Sequence, residues 1–321
     1  CTYIIYRRDK NIKLYAVTFL LFGLALFSKA MAITLPVLFF VVDYFMGKKV
    51  SKKSLIEKLP FLVLSVIFGY ISIISQKSND ALGDFNTVGF FEKIMFSSYS
   101  VVMYLVKLFS FSGLSAFYNY PLTENGKYPL IFYIAPFILG TLIWLLYKFK
   151  QNKKLIWFGF GFFLVTIVLV LQIIPAGNVI MADRYTYLPY IGLFFIIATL
   201  ITNAIQKTKL NQRAAAIIGL CIYVAICCYY TFNRTKIWNN SLVFWSNTIK
   251  KNPDAALPYS NRAALFVRDG ELVKAISDLN RAIEIKPKYV TAHYNRGRAF
   301  LLVGKFEEAI RDFSFVIQNK N

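Results

Sequence analysis

Three short stretches combine charge, aromatic rings and turn residues in ways suited to an anionic substrate: SKAMAITLP at 28–36, AFYNYPL at 116–122 and MADRYTYLP at 181–189. Lys29 interrupts an apolar run from Leu14 to Phe45. A lysine inside a membrane helix costs about 2.5–3.5 kcal/mol on insertion scales, so it must meet water, a carboxylate or an anionic head group. A snorkelling turn lysine would satisfy the same demand. Arg184 is always charged and offers a planar fork of donors suited to phosphate. Around it stand Asp183, Tyr185, Tyr187 and Tyr190, which could equally be an interfacial tyrosine belt with a capping aspartate. Tyr118 and Tyr120, beside Pro121, could wall a sugar or prenyl chain, or simply anchor an interface. Asp183 is the acid beside these cations, but pairing with Arg184 would lower its basicity, which makes it a weak candidate for a general base. No nucleotide-binding glycine loop, zinc spacing or nucleophile elbow accompanies them.

The elements that must position these residues are apolar helices. Of the 321 residues 57% are hydrophobic and 17% aromatic, and the mean hydropathy is +0.51. These values exceed those of soluble domains. The net charge of +21 comes from lysines and arginines bunched beside apolar runs, at 7–13, 48–58, 148–154 and 207–213. That placement follows the positive-inside pattern of short cytoplasmic loops and argues against a nucleic-acid partner. The fold class expected is therefore all-α, a polytopic membrane domain over 1–237. Its spans are predicted at about 14–28, 31–46, 59–76, 129–147, 155–174, 187–204 and 213–232. The stretch 94–111 is apolar enough to enter the bilayer, yet both its flanks fall outside. Lys107, Ser97, Ser98 and Ser100 make it read as an amphipathic interfacial helix. Cys1, Cys221, Cys227 and Cys228 are too few and too badly placed for a disulfide framework.

Beyond the last span the chain repeats with a period of 34. Asn261, Arg262, Gly270, Ala275, Ile276 and Asp278 recur as Asn295, Arg296, Gly304, Ala309, Ile310 and Asp312. A helix-turn-helix unit of that length, with small residues at the crossing and Pro253 and Pro287 in phase, resembles the tetratricopeptide repeat, TPR. This predicts a TPR domain over 238–321: a degenerate half repeat at 238–253, then repeats at 254–287 and 288–321. Asn261, Arg262, Asn295 and Arg296 fall on the first helices, where side chains often line the concave, protein-binding face. His293, the one histidine, occupies the packing position that Tyr259 holds one repeat earlier.

The order of SKAMAITLP, Asp43-Tyr44, AFYNYPL, MADRYTYLP, a final span and then TPRs resembles the transmembrane and TPR-containing protein O-mannosyltransferases and their bacterial relatives, which are type C glycosyltransferases. The resemblance implies transfer of a sugar, such as mannose, from a polyprenyl-phosphate donor to an extracytoplasmic protein hydroxyl. Lys29 and Arg184 would then lie near the lipid phosphate, with Tyr118 and Tyr120 walling the sugar or acceptor site. It implies a bacterial inner-membrane protein with its TPRs outside, whose partners are membrane lipid, the polyprenyl-phosphate sugar and an acceptor polypeptide. Relatives commonly carry Glu where Ala30 stands, and the family's catalytic acid lies in a first external loop that would precede residue 1. Some type C enzymes use a divalent cation, for which no ligand cluster of suitable spacing is present.

Two other classes compete: a membrane-anchored TPR interaction scaffold, and a transporter for a lipid-linked sugar. Inverted repeats would mark the transporter, and none is visible. The charge asymmetry itself yields a test of topology. In a chain freed of its native cysteines, single cysteines at Asn152 and Asn280 should label from opposite sides of the membrane. Labelling from the same side would remove the external repeats and the enzymatic reading together.

Overall fold

The computed structural model describes residues 1–78, 89–110, 113–116, 118–121, 127–148, 152–171, 173 and 179–319. Two compact units divide it, at 1–213 and 214–321. The first holds α1 (Thr2–Asp9), α2 (Ile12–Ser28), a 3-10 turn over Ala30–Thr34, α3 (Leu35–Phe45) and α4 (Lys52–Ser78). After these come α5 (Phe90–Lys107), α6 (Leu130–Lys148), α7 (Lys153–Ile167) and α8 (Tyr190–Gln206), and α9 (Leu210–Trp238) carries the chain into the second unit. Among the described residues, each apolar stretch expected to be a span is largely helical. By length and composition, 52–75, 130–148, 153–170 and 212–238 could each cross a membrane, while 12–28, 30–45 and 190–206 are shorter apolar helices. Leu20, Val66, Phe137 and Ile218 are exposed along them, and extended apolar surface of this kind marks a protein-contact or membrane-contact face. Where α7 meets α8, Gly159 and Gly192 face each other so closely that a Cβ on either would collide with the other's carbonyl. Small residues permit this approach of two backbones.

Two expectations need correction. The basic stretch at 7–13, read as a cytoplasmic loop, is partly the end of α1, and Arg7 is buried. The reason is Asp43, 1% exposed in α3, which accepts hydrogen bonds from Tyr3 Oη (3.1 Å), Arg7 Nε (2.8 Å), Ser54 Oγ (3.3 Å) and Lys58 Nζ (2.6 Å). Arg7 also pairs with Glu57 at 2.8 Å. The second correction concerns α5. Its serines do not face an aqueous interface: Ser97, Ser98 and Ser100 are buried, while Phe90, Phe91 and Val106 are exposed. A serine hydroxyl enters an apolar core when a carbonyl is there to receive it, and the receiving carbonyls belong to the segment before α8.

The second unit continues as α10 (Ser241–Lys251) and two helix pairs, α11 (Ala256–Arg268) with α12 (Leu272–Ile285) and α13 (Val290–Val303) with α14 (Phe306–Asn319). Gly270 and Gly304 turn the chain between paired helices at φ of +79° and +81°, a region glycine enters without steric cost. Ala263, Ala275, Ala282, Ala292, Ala299 and Ala309 fill the crossings. Gly297 replaces the alanine equivalent to Ala263 because Phe313 occupies the place that Leu279 has one repeat earlier, and a Cβ there would lie 2.9 Å from its ring.

The Asp43 cluster gives a direct test of what joins α1, α3 and α4. Removing one partner of a buried ion pair typically costs about 3–5 kcal/mol, because the charge left behind stays buried. Asp43→Ala should therefore lower the thermal unfolding temperature of the detergent-solubilised chain markedly. Replacing the exposed Asp9 should change little. Equal melting of the two variants would contradict the role given to the cluster.

Candidate functional site

Two of the three sequence stretches meet. β1 (Tyr118–Asn119) pairs antiparallel with β2 (Val179–Met181), with Tyr118 opposite Met181 and Asn119 opposite Val179. The pairing brings AFYNYPL against MADRYTYLP, and α5 supports both from beneath. Ser97 Oγ donates to Leu171 O (2.7 Å) and Ser100 Oγ to Ile180 O (3.2 Å). Tyr104 Oη receives the Ala182 N–H at 3.1 Å, and Tyr190 Oη donates to Tyr104 O at 2.6 Å. Ser97, Ser100, Tyr104 and Lys107 are spaced three, four and three residues apart, a single polar stripe on a helix. That spacing was the available signal for these positioning residues, which a serine-by-serine reading of amphipathicity missed.

On this platform Tyr118 Oη donates to Asp183 Oδ1 at 3.0 Å, and the Lys107 ammonium lies 4.7 Å from the Tyr118 ring centroid. Arg184 is exposed, gives one N–H to Ala116 O at 2.7 Å and stacks 5.0 Å from the Tyr185 ring. The rest of its fork makes no hydrogen bond or ion pair among the described residues. Tyr120 is half-buried against Phe96, and burial pushes its phenol well above the usual range, so it stays neutral. Tyr187 is 88% exposed. Lys29 stands apart, exposed at the corner between α2 and the 3-10 turn, and makes no side-chain ion pair or hydrogen bond among the described residues. Among those residues no three His, Cys, Asp or Glu side chains gather as metal ligands would. Pro175 and Gly177, which bound the 181–189 loop in sequence, lie outside the described residues.

In the second unit the recurrent arginines have an internal task. Arg262 grips Asp278 with Nε and a terminal nitrogen at 2.7 and 2.8 Å, and Arg296 grips Asp312 in the same way at 2.8 Å for both bonds. Each arginine also reaches the second helix of the preceding pair, Arg262 to Ser246 Oγ (3.2 Å) and Arg296 to Asn280 Oδ1 (2.9 Å). Their recurrence thus has a structural cause. Their planar forks are engaged within the chain. Asn261 and Asn295 are half-buried on the same helices, and among the described residues their side chains make no hydrogen bond within the chain. His293 bridges Asp312 Oδ1 (2.8 Å) and Pro287 O (2.9 Å) and stacks on Phe315 at 3.9 Å, a packing position.

Comparison with known proteins bears on the second unit most. The family described as TPR repeat matches residues 265–304. Human serine/threonine-protein phosphatase 5 is 34% identical over 87 residues, 27% of this chain and 17% of the phosphatase. Bovine DnaJ homolog subfamily C member 3 is 35% identical over 68 residues, 21% of this chain and 14% of that protein. Protein O-mannosyl-transferase Tmtc3 of Drosophila melanogaster is 22% identical over 147 residues, 44% of this chain and 16% of the transferase. That alignment is longer than residues 214–321. Among solved structures, the TPR2AB domain of yeast Sti1 in complex with an HSP90 peptide covers 58% of this chain and 83% of its own at 19% identity, with a TM-score of 0.25. The chain spans less than a fifth of the length of each of these three curated relatives.

The repeat pairing can be titrated. Burial alone would raise the Asp312 carboxyl, but hydrogen bonds from Arg296 and His293 outweigh it and hold the group below the usual carboxylate range. Its contribution is therefore present above the unfolded value of about 3.9 and lost as pH falls through the lower folded value. Unfolding of the repeats should grow easier on acidification below about pH 4 in the native chain, and less so in Asp312→Asn. Near pH 7, Arg296→Ala should cost about 1.5–3 kcal/mol, the usual worth of hydrogen bonds to a charged group. Identical pH profiles for the native chain and Asp312→Asn would contradict this.

Proposed function

We propose that this protein is a TPR interaction scaffold whose repeats hold an extended segment of a partner polypeptide, while the apolar helices seat the module in a membrane. The observation that carries this reading is the in-phase stack of α10 to α14, in which each arginine ties one pair to the next and to itself. Stacked helix pairs of this kind leave a continuous concave face. With Arg262 and Arg296 engaged, Asn261 and Asn295 become the recurrent groups free to bond a peptide backbone. The match of residues 265–304 to the TPR family and the similarity to TPR-containing proteins support the same reading.

A second reading, sugar transfer from a polyprenyl-phosphate donor, is favoured by one observation: two separated motifs meet at Tyr118, Asp183 and Arg184 on a braced platform. The partial similarity to Tmtc3 points the same way. In that reaction an acceptor hydroxyl attacks the anomeric carbon, a carboxylate takes its proton, and the phosphate leaves against a cation. Arg184 would hold the phosphate, Tyr118 and Tyr120 would wall the sugar, and Lys29 would meet the donor only from its separate corner. Asp183, which accepts the Tyr118 hydroxyl, is the acid on the platform and the weak candidate for the base.

One pair of variants separates the two. A photo-crosslinking residue at Tyr294, exposed on α13, should capture a discrete polypeptide in membranes, and the capture should fall about tenfold in Asn261→Ala/Asn295→Ala but persist in Arg184→Ala. Unchanged capture in the asparagine variant would remove the scaffold surface. Loss of protein-linked sugar in Arg184→Ala, with capture intact, would favour the transferase.

A further inference from the structure

The lysine-rich end of the first unit carries a concavity that neither the repeats nor the Tyr118–Arg184 platform uses. Lys48 and Lys49, after α3, and Lys153 and Lys154, at the start of α7, line a cavity of about 610 Å³. Tyr44 and Lys153 are shared with a second cavity of about 570 Å³, whose further walls include Phe40, Val41 and Trp157. The two form one trough, cationic at one end and apolar at the other. Among the described residues no acid lines either part. The nearest one in sequence, Asp43, is buried and already holds Arg7 and Lys58. All four lysines are exposed, and among the described residues none pairs with a carboxylate. Lys153 lies 5.0 Å over the Tyr147 ring and Lys154 lies 5.9 Å over Phe45, so aromatic faces rather than acids steady the ammonium groups.

We propose that this trough binds an anionic phospholipid, with the phosphate among the lysines and an acyl chain along Phe40, Val41 and Trp157. Charge complementarity selects the occupant. Four unopposed ammonium groups suit a head group with net negative charge, and basic pockets between membrane helices on the lysine-rich side take such head groups. The apolar half excludes a free phosphate as the whole ligand, since a small anion would leave it empty. The site is separate from the platform. Residues 153–170 form one continuous helical stretch, about 27 Å long at 1.5 Å per residue, with the lysines at its start and the carbonyl that Ser97 holds just past its end. The proposal rests on the membrane seating argued above.

The test uses the full chain in detergent, followed by native mass spectrometry with phosphatidylglycerol or phosphatidylcholine vesicles as the lipid source. Phosphatidylglycerol should be retained about tenfold better than phosphatidylcholine, and the preference should vanish in Lys48→Gln/Lys49→Gln/Lys153→Gln/Lys154→Gln. Because these side chains are exposed, that variant should melt with the native chain. Equal retention of the two lipids, or an unchanged preference in the variant, overturns the site. So does complete displacement of phosphatidylglycerol by millimolar inorganic phosphate, which would make the ligand a soluble anion. Carbonate extraction of the membranes separates the two claims: a chain released by carbonate refutes membrane seating along with the site, while a retained chain without lipid preference refutes the site alone.

Discussion

The arrangement of the first unit depends on finding donors for backbone carbonyls that have no helix to satisfy them. Between α7 and α8 the described residues include carbonyls outside any α-helix, and a buried carbonyl left without a donor costs free energy comparable to a lost hydrogen bond. α5 supplies the missing partners from one face: Ser97 to Leu171 O, Ser100 to Ile180 O, and Tyr104 with Ala182. Those bonds hold β2 where β1 can pair with it, and the strand pairing in turn sets Tyr118 against Asp183. Without the hydroxyl stripe the two motifs would still exist in the sequence, but nothing would require them to meet.

The same economy governs the few acids. The chain has 16 Asp and Glu against 37 Lys and Arg, and the most buried of the acids each serve more than one donor. Asp43 takes Tyr3, Arg7, Ser54 and Lys58, and Asp312 takes Arg296 and His293. Burying such a carboxylate is tolerable only with this full complement. The excess cations are consequently left at the surface, and their places are informative: Arg184 beside tyrosines, and Lys48, Lys49, Lys153 and Lys154 around one trough.

The helices were legible because apolar runs and a 34-residue period act over many residues at once. α2 to α4 and α6 to α9 lie within a few residues of the apolar stretches, and α10 to α14 follow the repeat. What stayed hidden depends on contacts between residues far apart in sequence. Nothing local marks Arg7 as the partner of Asp43 or says that Ser97 faces a carbonyl 74 positions away. The recurrence of Arg262 and Arg296 was visible, but a period alone cannot distinguish a residue kept for binding from one kept for stacking. The bidentate geometry to Asp278 and Asp312 makes that distinction.

This bears on how the two functional readings relate. To anchor a repeat domain, one helix of about 20 apolar residues is enough, and α9 alone meets that requirement. The first unit does something an anchor does not need: it builds a non-helical segment, which apolar surroundings tolerate only where protein or a water-filled cavity satisfies its backbone. It then places the exposed Arg184 on that segment, tied to Ala116 O. That construction is tied to partners on α5, and a helix serving only as an anchor would need none of them. The strand-paired segment is what the transferase reading rests on, and the repeat stack is what the scaffold reading rests on.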